Sequence, residues 1–186
     1  MQDGILRKLL SGLTATQPAI RSKKLAAVAV ILSGEANPKT LLIKRAERTG
    51  DPWSGQVAFP GGKTGEGDRS ARETAVREAR EEVGVDLGRE AEFAGYSVPF
   101  RTHTGDMDVI PAVFVLKREA KVVPNGEVSG HRWVDLGLFL DPRSESTYHL
   151  RAGGTSGDLP AFAVGDYVVW GLTHRIISTL LGMAPP

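Results

Sequence analysis

Glycine and proline constrain this 186-residue chain more than any other residues, because they cluster in one segment. The chain holds 22 glycines and 11 prolines. Between Thr49 and Gly67 these residues are Gly50, Pro52, Gly55, Pro60, Gly61, Gly62, Gly65 and Gly67. A loop of this length within a compact domain is usually either functional or disordered. The apolar side chains inside this segment, Trp53, Val57 and Phe59, argue against disorder. We therefore predict an ordered, functional loop.

Apolar runs and amphipathic stretches on both sides of this loop predict a layered α/β domain with a mixed sheet. Strands are expected at residues 26–32, 41–45, 93–98, 109–116 and 132–134. Helices are expected at residues 1–13, 70–83 and 166–181, with a helical turn at 136–140. Asp68 or Ser70 can cap the helix at 70–83, and Gly84 follows its end. Residues 141–157 are polar, and we expect them to be irregular.

Composition bounds the domain count and the partners. The length suits a single domain over residues 1–186, with 1–24 as an N-terminal helical extension. Lys and Arg number 23 against 22 Asp and Glu, so we expect no nucleic-acid partner. No apolar run is long enough for a membrane span, so we expect no membrane partner and a cytoplasmic location. Zero cysteines exclude a disulfide scaffold, a thiolate metal site and a cysteine nucleophile.

Three carboxylates share one face of the helix at 70–83. Glu78, Glu81 and Glu82 are spaced i, i+3 and i+4. Arg77 lies four residues from both Glu73 and Glu81, so part of this charge can be paired. Such a cluster is what Mg²⁺ or Mn²⁺ prefers, with waters and substrate phosphates completing the coordination. An ordinary salt-bridged surface helix is the alternative interpretation.

The glycine-rich turn directly before this helix favours a site. In Phe59-Pro60-Gly61-Gly62, glycine allows the backbone to approach a metal or a phosphate closely. Gly62-Lys63-Thr64 ends like a phosphate-binding P-loop, but Val57 occupies the place of the required first glycine. No G-x-G-x-x-G follows a strand and opens a helix, so the dinucleotide fingerprint is not met either.

These residues resemble the signature of the Nudix hydrolases, G-x5-E-x7-R-E-U-x-E-E-x-G-U, where U is bulky and apolar. From Arg77 to Val85 the chain matches every fixed position, except that Ala79 stands where a bulkier residue is usual. Gly62 lies one residue further from Arg77 than the strict spacing. A one-residue insertion pairs Gly62 with the signature glycine and Asp68 with its first glutamate.

The resemblance implies an α/β/α sandwich around a mixed sheet. It also implies hydrolysis of a nucleoside diphosphate linked to another moiety, with Mg²⁺ or Mn²⁺ as cofactor. The implied metal ligands are Glu78, Glu81, Glu82 and Gly62. Arg77 is implied to orient a glutamate.

The catalytic residues implied by the resemblance are Arg77, Glu78 and Glu127. Family members differ over which glutamate is the base, and often it lies in a later loop. Glu127 fits that position, in Asn125-Gly126-Glu127 before a strand, with a loop carboxylate in solvent as the less favoured interpretation. Glu119 is the weaker alternative.

A narrower resemblance is to the coenzyme A diphosphatase branch. It rests on residues 41–46 (LLIKRA) and 55–62 (GQVAFPGG) and on the one-residue insertion. Ile43, Ala46 and residues 51–54 depart from the branch pattern. Coenzyme A or an acyl-CoA is therefore the favoured substrate, with ADP-ribose, NADH or another nucleoside diphosphate compound left open.

The expected partner is a small nucleotide-like substrate, bound by Arg45, Trp53, Gly61 and Gly62. Trp53 could stack on a base or anchor the loop. Trp170 is placed on the C-terminal helix, in the core or at a dimer contact, so a homodimer is left open. Two other functions remain: a non-catalytic nucleotide-sensing Nudix module, which loss of the helix glutamates would favour, and an RNA-processing pyrophosphohydrolase, which a basic aromatic groove would favour.

Overall fold

A mixed sheet forms the centre of the molecule in a computed structural model that describes residues 3–49, 54–103, 105–152 and 155–183. Its strands are β1 (Lys24–Ser33), β2 (Lys39–Arg45), β3 (Val57–Ala58), β4 (Gly61–Lys63), β5 (Ala91–Tyr96), β6 (Phe100–Arg101), β7 (Met107–Leu116) and β8 (Val128–Asp135). A second, antiparallel sheet contains β9 (Glu145–Ala152), β10 (Thr155–Val164) and β11 (Tyr167–Trp170). The helices are α1 (Asp3–Ser11), α2 (Ala71–Val83), α3 (Leu87–Glu90) and α4 (Gly171–Leu180), with two 3-10 turns at Leu136–Leu140 and Pro142–Ser144.

The parallel pair β1 and β7 is the axis of the mixed sheet. It runs in register from Lys24 opposite Met107 to Leu32 opposite Val115. β5 pairs antiparallel with β7, and β8 pairs antiparallel with β2. β1 and β2 pair only near the turn that joins them, and each has a separate partner beyond it, β4 for β1 and β3 for β2. The glycine-rich segment therefore enters the sheet between β1 and β2.

Alternating side chains of β1 divide the core into two layers, as expected for a strand covered on both faces. Ala29 and Ile31 belong to the apolar cluster under α2, and Val30 and Leu32 belong to the cluster under α1, α4 and the second sheet. The α2 layer is close-packed because the buried side of that helix is mostly small residues: Ala71, Ala75 and Ala79 are fully buried. The predicted α/β/α sandwich around a mixed sheet is confirmed.

Two expectations about the C-terminal third are wrong. Residues 141–157 are not irregular, since most of them form the second 3-10 turn, β9 and the start of β10. Their polar composition reflects an antiparallel sheet with one face in solvent. The helix predicted at 166–181 begins only at Gly171, because Gly165 (φ +65°) turns the chain back and Tyr167–Trp170 pairs with β10. Trp170 therefore ends a strand, where its ring stacks on Tyr148 with centroids 4.1 Å apart.

The other predicted helices and strands agree with the structure within a few residues, whereas β3, β4, β6 and α3 were not predicted, and β3 and β4 lie within the segment expected to be a loop. α1 packs on the core through Leu9, which is almost fully buried. Ser70 is the N-cap of α2 and accepts a hydrogen bond from the Glu73 backbone N–H, and Gly84 ends the helix in the left-handed conformation. Within the described ranges, none of the helices combines the length and the apolar character that crossing a membrane requires.

The N-cap of α2 gives the first prediction. Ser70→Ala removes the acceptor for the Glu73 N–H and should lower the free energy of unfolding by about 1 kcal/mol in urea titrations. Ser70→Asp keeps an acceptor at the same position and should retain wild-type stability. Equal losses in the two variants would contradict the capping role.

Candidate active site

Helix α2 carries the three predicted carboxylates, but it sends them to different environments. Glu82 is 3% exposed. The side chain of Glu78 is 15% exposed, whereas that of Glu81 is 54% exposed. Glu78 and Glu82 therefore form the buried part of the cluster, and Glu81 lies at its solvent edge.

The glycine turn contacts the carboxylates of both Glu82 and Glu78. The Gly61 backbone N–H donates to Glu82 Oε2 at 2.8 Å. A Cβ added to Gly62 would lie 2.4 Å from Glu78 Oε1, so the Glu78 carboxyl group rests against the bare Cα of Gly62. The turn itself is held by β1, since the Ala29 N–H donates to the Pro60 carbonyl at 2.7 Å. Gly61 and Gly62 thus lie beside the carboxylates.

Burial dominates the electrostatics of these two groups. It raises the pKa of Glu82 to about 7, aided by the negative charges of Glu78 and Glu127 and opposed by the Gly61 N–H and by Arg45. Burial also raises the pKa of Glu78, against the lowering effect of Arg77. A shift in this direction means that the protein provides less positive charge here than two ionised carboxylates require. A divalent cation would supply that charge.

Arg77 organises the opposite side of the cluster. Its guanidinium forms a forked pair with Asp68, with Nη2–Oδ2 at 2.8 Å and Nε–Oδ1 at 3.2 Å. This contact lowers the pKa of Asp68 to about 2. Nη1 donates to Glu78 Oε1 at 2.8 Å and to Glu81 Oε2 at 3.1 Å. The other pairing open to Arg77 in the sequence is not made, because Glu73 binds Arg69 instead.

A loop after β7 brings Glu127 to the C-terminal end of α2, where Glu82 lies. The Val123 N–H donates to the Val83 carbonyl at 2.9 Å, and the Asn125 N–H donates to the Glu82 carbonyl at 3.0 Å. These bonds satisfy carbonyls that every helix leaves unpaired at its C-terminus. They also fix the loop relative to Glu82, whose pKa includes a contribution from the charge of Glu127.

Two residues of this region were not singled out by the sequence analysis. Arg48 donates from Nη1 to Glu127 Oε1 at 3.2 Å, across 79 residues of sequence. Asn125 accepts from the Glu127 backbone N–H at 2.8 Å through its side-chain oxygen. The Asn-Gly pair at 125–126 is a turn signal that could have indicated Asn125, whereas no spacing rule links Arg48 to Glu127.

Arg45 and Trp53 are the other residues that the sequence predicts to bind the substrate. Arg45 ends β2 and contributes to the electrostatics of Glu82, and its N–H donates to the Gln56 carbonyl at 2.9 Å. Trp53 lies outside the described residues. His103 lies in the turn between β6 and β7.

Two carboxylates are available to a divalent cation at the glycine turn. Across residues 3–49, 54–103, 105–152 and 155–183, no three acidic or histidine side chains converge into a ready-made cation site. Glu78 and Glu82 nevertheless place two desolvated carboxylates at one glycine turn. Mg²⁺ commonly uses one or two protein carboxylates and completes its octahedron with waters and substrate phosphates. The residues present therefore fit Mg²⁺ or Mn²⁺ as an open site.

Comparison with known proteins places this arrangement in a family. Residues 23–151 match the family model for the NUDIX domain. "Nudix hydrolase 22, chloroplastic" of Arabidopsis thaliana is 29% identical over 176 residues, covering 89% of this chain and 58% of the plant protein. Human "Mitochondrial coenzyme A diphosphatase NUDT8" is 29% identical over 182 residues, covering 97% of this chain and 77% of the human protein. The chain thus spans under two thirds of the plant relative's length.

Solved structures agree at the level of the fold. A crystal structure of a MutT/nudix family protein from Enterococcus faecalis superposes with a TM-score of 0.56 at 21% sequence identity. The superposition covers 87% of this chain and 62% of that one.

The two glycines of the turn should respond differently to alanine. In Gly61→Ala the new Cβ meets main-chain atoms of β1, 2.4 Å from the Ala27 carbonyl oxygen and 2.7 Å from Val28 Cα. Since a central strand cannot yield, we expect a loss of about 2 kcal/mol in unfolding free energy. In Gly62→Ala the three atoms nearest the new Cβ all belong to the Glu78 carboxyl group, a side-chain end that can turn aside more readily than a strand backbone, so the loss should be smaller than in Gly61→Ala. Thermal unfolding of both variants tests this, and equal losses would contradict it.

The buried Glu82 predicts a pH-dependent stability in the absence of divalent cations. Its pKa is about 7 in the folded state against an ordinary value of 4.5, so the folded state keeps a proton that the unfolded chain releases within this window. The free energy of unfolding contributed by this group therefore falls as pH rises from 4.5 to 7. Glu82→Gln should be more stable than wild type by about 2 kcal/mol near pH 8, with the gain shrinking towards pH 5. Urea titrations with a chelator measure this, and a pH-independent difference would contradict it.

Proposed function

Because this chain belongs to the Nudix hydrolase family, we propose that it hydrolyses the pyrophosphate bond of a nucleoside diphosphate derivative, using a divalent cation. The observation that carries this is the convergence of Glu78 and Glu82 on the Gly61–Gly62 turn. Burying two carboxylates costs stability. A protein that retains them at a glycine turn gains a site for a cation and a pyrophosphate, which the same chain with neutral side chains would lack.

The cation is assigned to Glu78 and Glu82, with Glu81 at the solvent edge and the Gly62 backbone beside them. When bound, Mg²⁺ or Mn²⁺ neutralises the pyrophosphate charge and makes water more acidic. Arg77 holds the Glu78 carboxylate in place through its 2.8 Å bond. The forked pair with Asp68 fixes the guanidinium in turn, so the Glu78 position is set by a rigid chain of contacts.

Glu127 is assigned as the general base. Its carboxylate would accept a proton from the attacking water, whose oxygen then displaces the leaving phosphate group in line. Arg45 and the N–H groups of the glycine turn would bind phosphate oxygens. Phosphoryl transfer of this kind depends on positioning and charge stabilisation more than on covalent work by the protein. The fixed backbone around Gly61 suits that requirement.

Coenzyme A or an acyl-CoA is the proposed substrate class. The segment Gly55–Gly62 and the single-residue insertion resemble the coenzyme A diphosphatase branch, and the human relative named as such aligns with 97% of this chain. The departures at Ile43 and Ala46 keep ADP-ribose, NADH and related compounds as the second candidate. A cytoplasmic location and a homodimer stay predictions.

A substrate screen tests the proposal. Purified protein is incubated with Mg²⁺ or Mn²⁺ and coenzyme A, ADP-ribose, NADH, diadenosine compounds or dNTPs, and products are separated by chromatography. We expect coenzyme A to be cleaved at its pyrophosphate with the highest kcat/KM, and Glu82→Gln to lower kcat by at least about 100-fold. Glu73→Gln is the matched control, because Glu73 is on the same helix and pairs only with Arg69 among the side chains it contacts in the described structure.

Each outcome has a distinct meaning. Cleavage of none of the compounds by wild type would contradict the hydrolase function and favour the nucleotide-sensing module. Full activity of Glu82→Gln would contradict the assigned cation site. Preference for ADP-ribose over coenzyme A would overturn only the substrate class.

A further inference from the structure

The backbone of Glu127 is fixed on both sides of the residue. Its carbonyl accepts from the Ala46 N–H at 2.8 Å, and its N–H donates to the Asn125 side chain at 2.8 Å. The loop before it is bonded to the end of α2. The Cα position of Glu127 is therefore set, and the direction of its carboxylate depends on what its side chain contacts.

Arg48 provides that contact from the segment after β2. Its Nη1 lies 3.2 Å from Glu127 Oε1, and its own backbone N–H donates to Ser54 Oγ at 2.7 Å. The segment that contains Ala46 and Arg48 thus binds Glu127 twice, once through the backbone and once through the side chain. Both sites of attachment lie at the edge of the glycine-rich loop.

A contribution to folding stability does not explain why Arg48 and Glu127 form an ion pair. The side chains of Arg48 and Glu127 are 54% and 49% exposed, and ion pairs in solvent contribute little to folding. What the contact does change is the freedom of a glutamate side chain with three rotatable bonds. General bases work only when held within hydrogen-bonding reach of the proton that they accept.

We propose that Arg48 is a positioning residue for the general base Glu127. This rests on the proposed hydrolase function and on Glu127 as its base. Arg48 acts through Glu127 and touches neither the cation nor the reacting phosphate. Its removal lowers the rate of the chemical step and leaves substrate binding unchanged.

A double-mutant cycle in the full chain tests this, using whichever compound the wild type cleaves best. Arg48→Ala should lower kcat roughly tenfold with KM changed by less than about twofold. Arg48→Lys retains one donor and should recover most of the rate. Glu127→Gln should lower kcat by about 100-fold or more, and adding Arg48→Ala to it should cause no further loss.

Arg69→Ala is the matched control, since Arg69 also forms an exposed pair with a glutamate, at 2.9 Å from Glu73. It should leave kcat and KM unchanged. A raised KM at constant kcat in Arg48→Ala, or an equal loss of kcat in both backgrounds, would overturn the proposal by showing that Arg48 acts on the substrate or independently of Glu127. Wild-type rates in Glu127→Gln would overturn both the base and its positioning residue, while wild-type turnover would still support the hydrolase.

Discussion

The contact between the Gly61–Gly62 turn and the carboxylates of α2 determines how the rest of the site is built. One carboxylate accepts a backbone N–H of the turn, and the other lies where a side chain would have been. Neither contact is compatible with a Cβ on the glycine concerned without movement of something else. The turn must also be bonded to β1, and the helix must lie close to that strand. The buried alanines of α2 provide that closeness, since Ala75 and Ala79 let the helix approach the sheet more nearly than larger residues would.

This arrangement is electrostatically unfavourable, because two carboxylates lie close together with little access to solvent. Glu82 is buried beside Glu78 and accepts the Gly61 N–H, and burial raises its pKa. Arg77 compensates Asp68 and Glu78, and its strongest partner is Asp68. The protein thus leaves Glu82 short of positive charge. Such an uneven distribution is what a site for a divalent cation and a polyanionic substrate requires.

The sequence predicted the local part of this site well and the long-range part poorly. The spacing of Glu78, Glu81 and Glu82, the Ser70 cap and the Gly84 terminus follow from helical geometry, so each could be read from a dozen residues. The different burial of Glu78 and Glu81 could not, because it depends on where the glycine turn lies. β9 was missed since its solvent face is polar. Arg48 was missed because its contact with Glu127 exists only after β2 and β8 have paired.

The residues proposed to bind the cation and the residues proposed to select the substrate come from different parts of the chain. The proposed cation site is built almost entirely within residues 61–82, inside the region that matches the NUDIX domain. The surrounding surface is built by segments that meet only through tertiary contacts. Thr173 of α4, beyond the family match, donates to the Val57 carbonyl at 3.1 Å and so supports the strand that precedes the glycine turn. The strand that leads into the glycine turn is thus supported from outside the matched region, whereas Glu78 and Glu82 lie within it. Substrate preference is therefore better sought in the segment 45–57 and its C-terminal supports than in the signature helix.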